Sequence, residues 1–185
     1  TNSTVSTGSY FNAPGNILQV VQGVKTDVWS AALPATGHQA NAFYAVTGLT
    51  ASITPRSTSS KITILLNIHA STSYFSLHGI FTRNGTTIGV GTQRSTRNSA
   101  TFTDTRYENV SGTTRYGWGS VIASYVDSPA TTSSVTYGVS LSGYNDGVTY
   151  VPAYVAVNYN VSSDTNSADY FGQPISTITL MEIGQ

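Results

Sequence analysis

Residues Lys61 to Ala70 read KITILLNIHA, with Ile62, Ile64, Leu66 and Ile68 on one parity and Thr63, Leu65, Asn67 and His69 on the other. A period of two marks an extended strand with one buried face, because successive side chains point to opposite sides. Val135, Tyr137, Val139 and Leu141 alternate with Thr136, Gly138, Ser140 and Ser142 in the same way. Further runs rich in Val, Ile, Thr, Tyr and Phe predict strands at Asn16–Val24, Ala42–Ile53, Tyr74–Arg83, Thr86–Gly91, Gly117–Asp127, Tyr150–Val161 and Ile175–Ile183. No stretch carries a helical period.

Punctuation agrees with this pattern. Asn84-Gly85, between FTR and TTIGVG, predicts a tight hairpin turn, since both residues tolerate positive φ. Polar segments at Ser95–Asn98, Asp127–Ser134, Asn145–Gly147 and Ser162–Ala168 read as loops. About nine strands without helices imply two packed antiparallel sheets, an all-β sandwich of jelly-roll-like form. Residues 1–15 are polar apart from Tyr10-Phe11 and read as a lead-in linker, leaving residues 16–185 as one sandwich domain.

Two strands break the alternation. Ile175, Met181 and Ile183 share one parity of the last strand while Ile178 and Leu180 share the other. In the strand from Tyr74, the residues Phe75, Leu77 and Phe81 oppose Tyr74 and Ile80. A strand apolar on both faces needs cover on both. In a two-layer sandwich the outer cover is another subunit or a loop folded over the sheet. Phe75, Leu77, Phe81, Ile178 and Leu180 are therefore expected at an oligomer interface.

Composition narrows the function. Hydrophobic residues make up 39% of the 185 residues and charged residues only 9%, with net charge zero, so no basic excess exists to bind nucleic acid or an anionic membrane. Arg94, Arg97, Arg106 and Arg115 are interspersed with Asp104 and Glu108 and read as a solvated face. The chain has no cysteine, which excludes disulfides, thiolate metal sites and a cysteine nucleophile, and suits synthesis in a reducing cytoplasm. No apolar run approaches the roughly 20 residues a spanning helix needs.

Chemistry is sparse. His38, His69 and His78 sit in no nucleophile-elbow motif. Glycan hydrolysis needs two carboxylates about 5 to 9 Å apart. Asp104 and Glu108, the nearest such pair in sequence, lie among arginines that make an ion pair the simpler expectation. Asp164 and Asp169 flank Asn166 and Ser167 in an oxygen-rich loop but lack the glycine and glutamate of a calcium loop, so no metal, cofactor or catalytic residue is expected. Aromatic side chains beside amides and carboxylates suit carbohydrate recognition. With twelve tyrosines in the chain, Arg115, Tyr116, Trp118, Tyr144, Asn145, Asp146 and Tyr150 are the candidate receptor-binding residues.

Several phrases in order resemble the C-terminal head domains of bacteriophage tail-fibre and minor structural proteins of marine and cyanobacterial phage type. They are GNILQVVQGVKTD (Gly15–Asp27), VTGLTASITPRSTSSKITILLNI (Val46–Ile68), FTRNGTTIG (Phe81–Gly89), YVDSPATTSSVTYGVSL (Tyr125–Leu141) and STITLMEIGQ (Ser176–Gln185). VNYNVSSDTNSADY at Val157–Tyr170 departs from the family pattern. The resemblance implies a non-enzymatic homotrimeric head on an external virion fibre, made in the host cytoplasm. Such a head joins upstream fibre or tail proteins and binds a glycan or protein receptor on the host cell. The alternatives are a capsid-attached fibre or decoration domain, and a free carbohydrate-binding module or glycan hydrolase.

Overall fold

A computed structural model describes residues 14–34, 42–72, 76–95, 97–105, 108–110, 113–115, 118–143, 153–159 and 172–185, with the side chains of 105, 108–110, 113–115 and 118 outside that description. The strands in chain order are β1 (Ile17–Lys25), β2 (Trp29–Ala32), β3 (Tyr44–Ile53), β4 (Lys61–Thr72), β5 (Ser76–Arg83), β6 (Thr86–Ile88), β7 (Phe102–Thr105), β8 (Glu108–Val110), β9 (Thr113–Arg115), β10 (Trp118–Asp127), β11 (Val135–Gly143), β12 (Tyr154–Val157) and β13 (Ser176–Ile183). No helix occurs among the described residues. All nine runs expected from the alternation contain a strand; β2, β7 and the separate β8–β9 ladder are additions.

The first sheet is centred on β4. One edge of β4 pairs with β10, from Ser71 opposite Trp118 to Ile62 opposite Asp127. The other edge is shared end to end, β13 pairing with Lys61–Asn67 and β12 with Ala70–Thr72. β1 and β2 lie end to end outside them. The second sheet runs β3, β11, β5, with β6 and β7 sharing the outer edge of β5. Treating each end-to-end pair as one position gives two sheets of four positions. Numbered along the chain, the orders are 1-8-3-6 and 2-7-4-5, the doubly wound Greek key of a jelly roll.

Alternation decides which side chains lie between the sheets. Ile62, Ile64, Leu66 and Ile68 of β4 face Leu49, Ile53, Val135, Tyr137, Val139 and Leu141 across the core, and all are essentially buried. Each such side chain contributes about 1.5–3 kcal/mol relative to exposure. At the β1 edge the sheets converge: a Cβ on Gly23 would collide with the Thr50 carbonyl oxygen, so only glycine fits.

Leu77, Phe81, Ile178 and Leu180, expected at an oligomer interface, belong instead to this core. Their side chains are spent within the chain and leave no surface for a partner; Phe75 lies outside the described residues. On β13 the inward parity is Ser176, Ile178, Leu180 and Glu182, so Met181 and Ile183 point outward. On β5 the outward Ile80 is nearly buried, and Phe43, Val90 and Ser99 from the connections before β3 and after β6 stand around it. Its cover is a loop, the alternative left open by the sequence.

Buried polar groups stitch the places where this pattern is interrupted. The chain leaves the sheet between β12 and β13, where Asn158 takes a left-handed φ of 55°. Its amide donates to the carbonyls of Lys25 and Asp27 and its oxygen accepts from the Ser176 hydroxyl, which in turn accepts from the His69 amide. Three strands are thereby bridged where ladder bonds are missing. Beside this junction the buried Lys25 ammonium meets both carboxylate oxygens of Asp27 at 2.9 Å, which holds the Asp27 carboxyl below its usual range.

Candidate functional site

The sandwich has two unlike ends. At one, Gly15 donates its backbone N–H to the Gly184 carbonyl and Gly184 donates to that of Asn16, at the same end as the turns at Thr54–Ser60 and Asn84-Gly85. Both turns are tied down. Glu182 is fully buried and accepts from the Gln19 amide and the Arg56 backbone N–H, each at 2.6 Å. Burial alone would raise its pKa, but the bonds from Gln19 and the Arg56 amide, with the Arg56 charge, outweigh burial and lower it. The Tyr137 phenol donates to Asp127 at 2.7 Å, and Arg83 pairs with the same carboxylate at 3.0 Å. Burial, and then Asp127, push the phenol far above its ordinary range and keep it neutral.

At the other end, β2, β4 and β11 finish and β5, β10 and β12 begin. Trp118 heads β10 there, opposite Ser71, and β11 leaves at Gly143, the residue before Tyr144. Arg115 is paired through its backbone with Glu108 in the β8–β9 ladder. Tyr116, Tyr144, Asn145, Asp146 and Tyr150 lie outside the described residues, as do His38, Asp164 and Asp169.

The outer face of the first sheet is open. Its rows across β1, β13, β4 and β10 read Val20, Met181, Thr63, Val126; then Gln22, Thr179, Leu65, Ser124; then Val24, Thr177, Asn67, Ile122. None of these twelve positions is charged. Ile122 is 79% exposed, Val20 57% and Val126 55%, so the face sets large exposed apolar side chains among neutral polar ones.

The outer face of the second sheet is covered and grooved. A cavity of about 390 Å³ opens between Phe43, Val90 and Ser99 above a floor of Ile80, Thr82 and Ser140, with Gly85 and Thr87 at one side. The floor is rigid because β5 and β11 pair Ile80 with Ser140, and the hairpin at Gly85 (φ 81°) sets Thr87 opposite Thr82. Ser140 is only 6% exposed. The hydroxyls of Thr82, Thr87, Ser99 and Ser140 are engaged by no other group among the described residues.

Two serine–histidine contacts occur on outer faces. Ser120 Oγ lies 3.0 Å from Nε2 and 3.3 Å from Nδ1 of His69, beside the ring rather than along one nitrogen lone pair, unlike a nucleophile aligned with its base. Ser76 Oγ meets His78 Nε2 at 3.0 Å along the same strand face. No cluster of three metal-ligating side chains is present among the described residues.

Phe43, Ile80, Thr82, Thr87, Ser99 and Ser140 were not expected as site residues. The one signal in the sequence was Ile80, whose apolar side chain on the outward parity required a cover. No family model matches the chain, and no curated protein matches it.

Proposed function

We propose that the chain is the head of a bacteriophage fibre, a homotrimer that binds a glycan or protein receptor on the host cell surface without chemistry. It would be made in the host cytoplasm and displayed outside the virion. The observation that carries this reading is the polarity of the sandwich. Gly15 and Gly184 meet at the tied-down end, while the chain next to Trp118 and Gly143 lies at the opposite one. A support joined at the first end would hold the second outward, and the candidate residues Arg115, Tyr116, Trp118, Tyr144, Asn145, Asp146 and Tyr150 include Trp118, which heads β10 there, and Tyr144, which follows Gly143 in the chain. The uncharged open face supports self-association, because burying it desolvates no ion. Three copies on one head multiply modest single-site affinities.

The test is competition. Purified head is added to host cells, which are then challenged with phage, and adsorbed particles are counted. Blocking by the wild-type head, reduced in Trp118→Ala, is the expected result. A folded head that blocks nothing at saturation fails this reading and leaves a decoration role.

A further inference from the structure

We propose that the groove on the outer face of the second sheet is a saccharide-binding site, taking a neutral sugar ring of a surface glycan. This rests on the receptor-binding reading and assigns it a place outside the loops. The lining residues are all uncharged. A phosphate, carboxylate or amine would lose hydration there without gaining a counter-charge, which selects against ionic ligands. What the groove offers is hydroxyls, each able both to donate and to accept. Sugar hydroxyls are the matching groups. Those of Thr82, Thr87, Ser99 and Ser140 have no partner among the described residues. The apolar side of a pyranose, its axial C–H face, has counterparts in Phe43, Ile80 and Val90.

Size and stiffness agree. The 390 Å³ cavity falls among ordinary ligand sites, which span roughly 300–1,000 Å³. Thr82, Thr87, Ile80 and Ser140 stand on paired strands, so little ordering is needed on binding. A shallow groove gives weak single-site affinity, which suits a protein whose copies act together.

The experiment maps amide shifts of the labelled full chain during titration with maltotriose, cellotriose and mannotriose, with trigalacturonate as the charged counterpart. The expected result is that at least one neutral sugar shifts Gly85, Thr87, Val90 and Ser99, while trigalacturonate does not. Ser140→Ala and Thr87→Val then each weaken binding by about tenfold, and Thr136→Val, on the same sheet outside the groove, binds as wild type. Thr87 is exposed, so its variant stays informative if Ser140→Ala disturbs folding. The proposal is overturned if none of the neutral sugars shifts the groove, if trigalacturonate binds as well, or if both groove variants keep wild-type affinity. Adsorption separates the two ideas. If wild-type head blocks phage and the groove variants block equally, the groove falls and the receptor reading stands; if wild-type head binds sugar but blocks nothing, the reverse holds.

Discussion

The two outer faces invert the ordinary relation between polarity and exposure. On the first sheet the outward positions include Val20, Leu65, Met181, Ile122 and Val126, and the face is open, with Ile122 79% exposed. On the second they include His78 and Ile80 beside Thr82, Thr136, Ser140 and Ser142, and the face is partly covered, with Ser142 2% exposed. Hydrophobicity alone would cover the first and open the second. The difference teaches that alternation specifies the space between the sheets and says little about what the outer faces are for. The open face leaves large apolar side chains in solvent, whereas the covered hydroxyl face makes a pocket.

The comparison rests on β4 having one structural face and one free face. Leu66→Asp places an unpaired carboxylate at a 1% exposed position, costing several kcal/mol against a total stability of about 5–15. Loss of soluble, folded protein is expected by circular dichroism. Asn67→Asp, one residue on and facing out, should leave the fold intact. Equal damage from both would mean that β4 has no free face.

Charge on the open face comes next. Ile122→Lys, in the most exposed large apolar side chain among the described residues, should convert the proposed trimer to a folded species near 19.5 kDa by light scattering, whereas Thr136→Lys on the other sheet should keep the assembly. An unchanged mass in Ile122→Lys would return the open face to plain solvent exposure. A wild-type mass already near 19.5 kDa would remove self-association altogether.

Much of this was legible in the chain. All nine expected strands contain one, and the core parities of β4 and β11 follow from Ile62 to Ile68 and Val135 to Leu141. The short edge pieces β2 (WSAA) and β7 (FTDT) are too brief to carry a period. Parity alone could not say which face of β13 is inward, because each holds two large apolar residues. The choice depends on Glu182, which enters the interior only because Gln19 and the Arg56 amide, distant in sequence, meet it there. The groove was illegible for a similar reason. Its hydroxyls come from separate segments, joined by the β5–β11 pairing and the Gly85 hairpin, and no spacing marks them.

Acid sharpens the contrast between the sheets. Among the described residues, the carboxyls held below their usual values, Glu182 and Asp27, are both tied to β1 of the open-faced sheet. A lowered folded pKa contributes stability that is present above the unfolded value, 4.5 for Glu182, and is lost as pH falls through the folded value. Below that pH, hydrogen exchange should rise in β1 and β13 before β11 and β5. Glu182→Gln, which loses the charge-assisted bonds, should cost about 1–3 kcal/mol at neutral pH and flatten the acid limb of the melting curve. Simultaneous loosening of both sheets would show that Glu182 does not hold β1 in particular.

The smallest effect asked for is the absence of one. Ser140→Ala removes a hydroxyl from a residue 94% covered, a change that costs about 1–3 kcal/mol when the hydroxyl has a partner in the fold. Here the described residues give that oxygen no partner, and it faces the groove. Solvent in the groove meets its needs in the free protein, so exchanging it for hydrogen should leave thermal stability within about 0.5 kcal/mol of wild type. A serine on a covered sheet face that adds nothing to stability is free to serve a ligand, and stability is the measurement that separates the two. A fall of more than about 1 kcal/mol would mean that the hydroxyl serves the sandwich. The covered face would then differ from the open one only in being better packed.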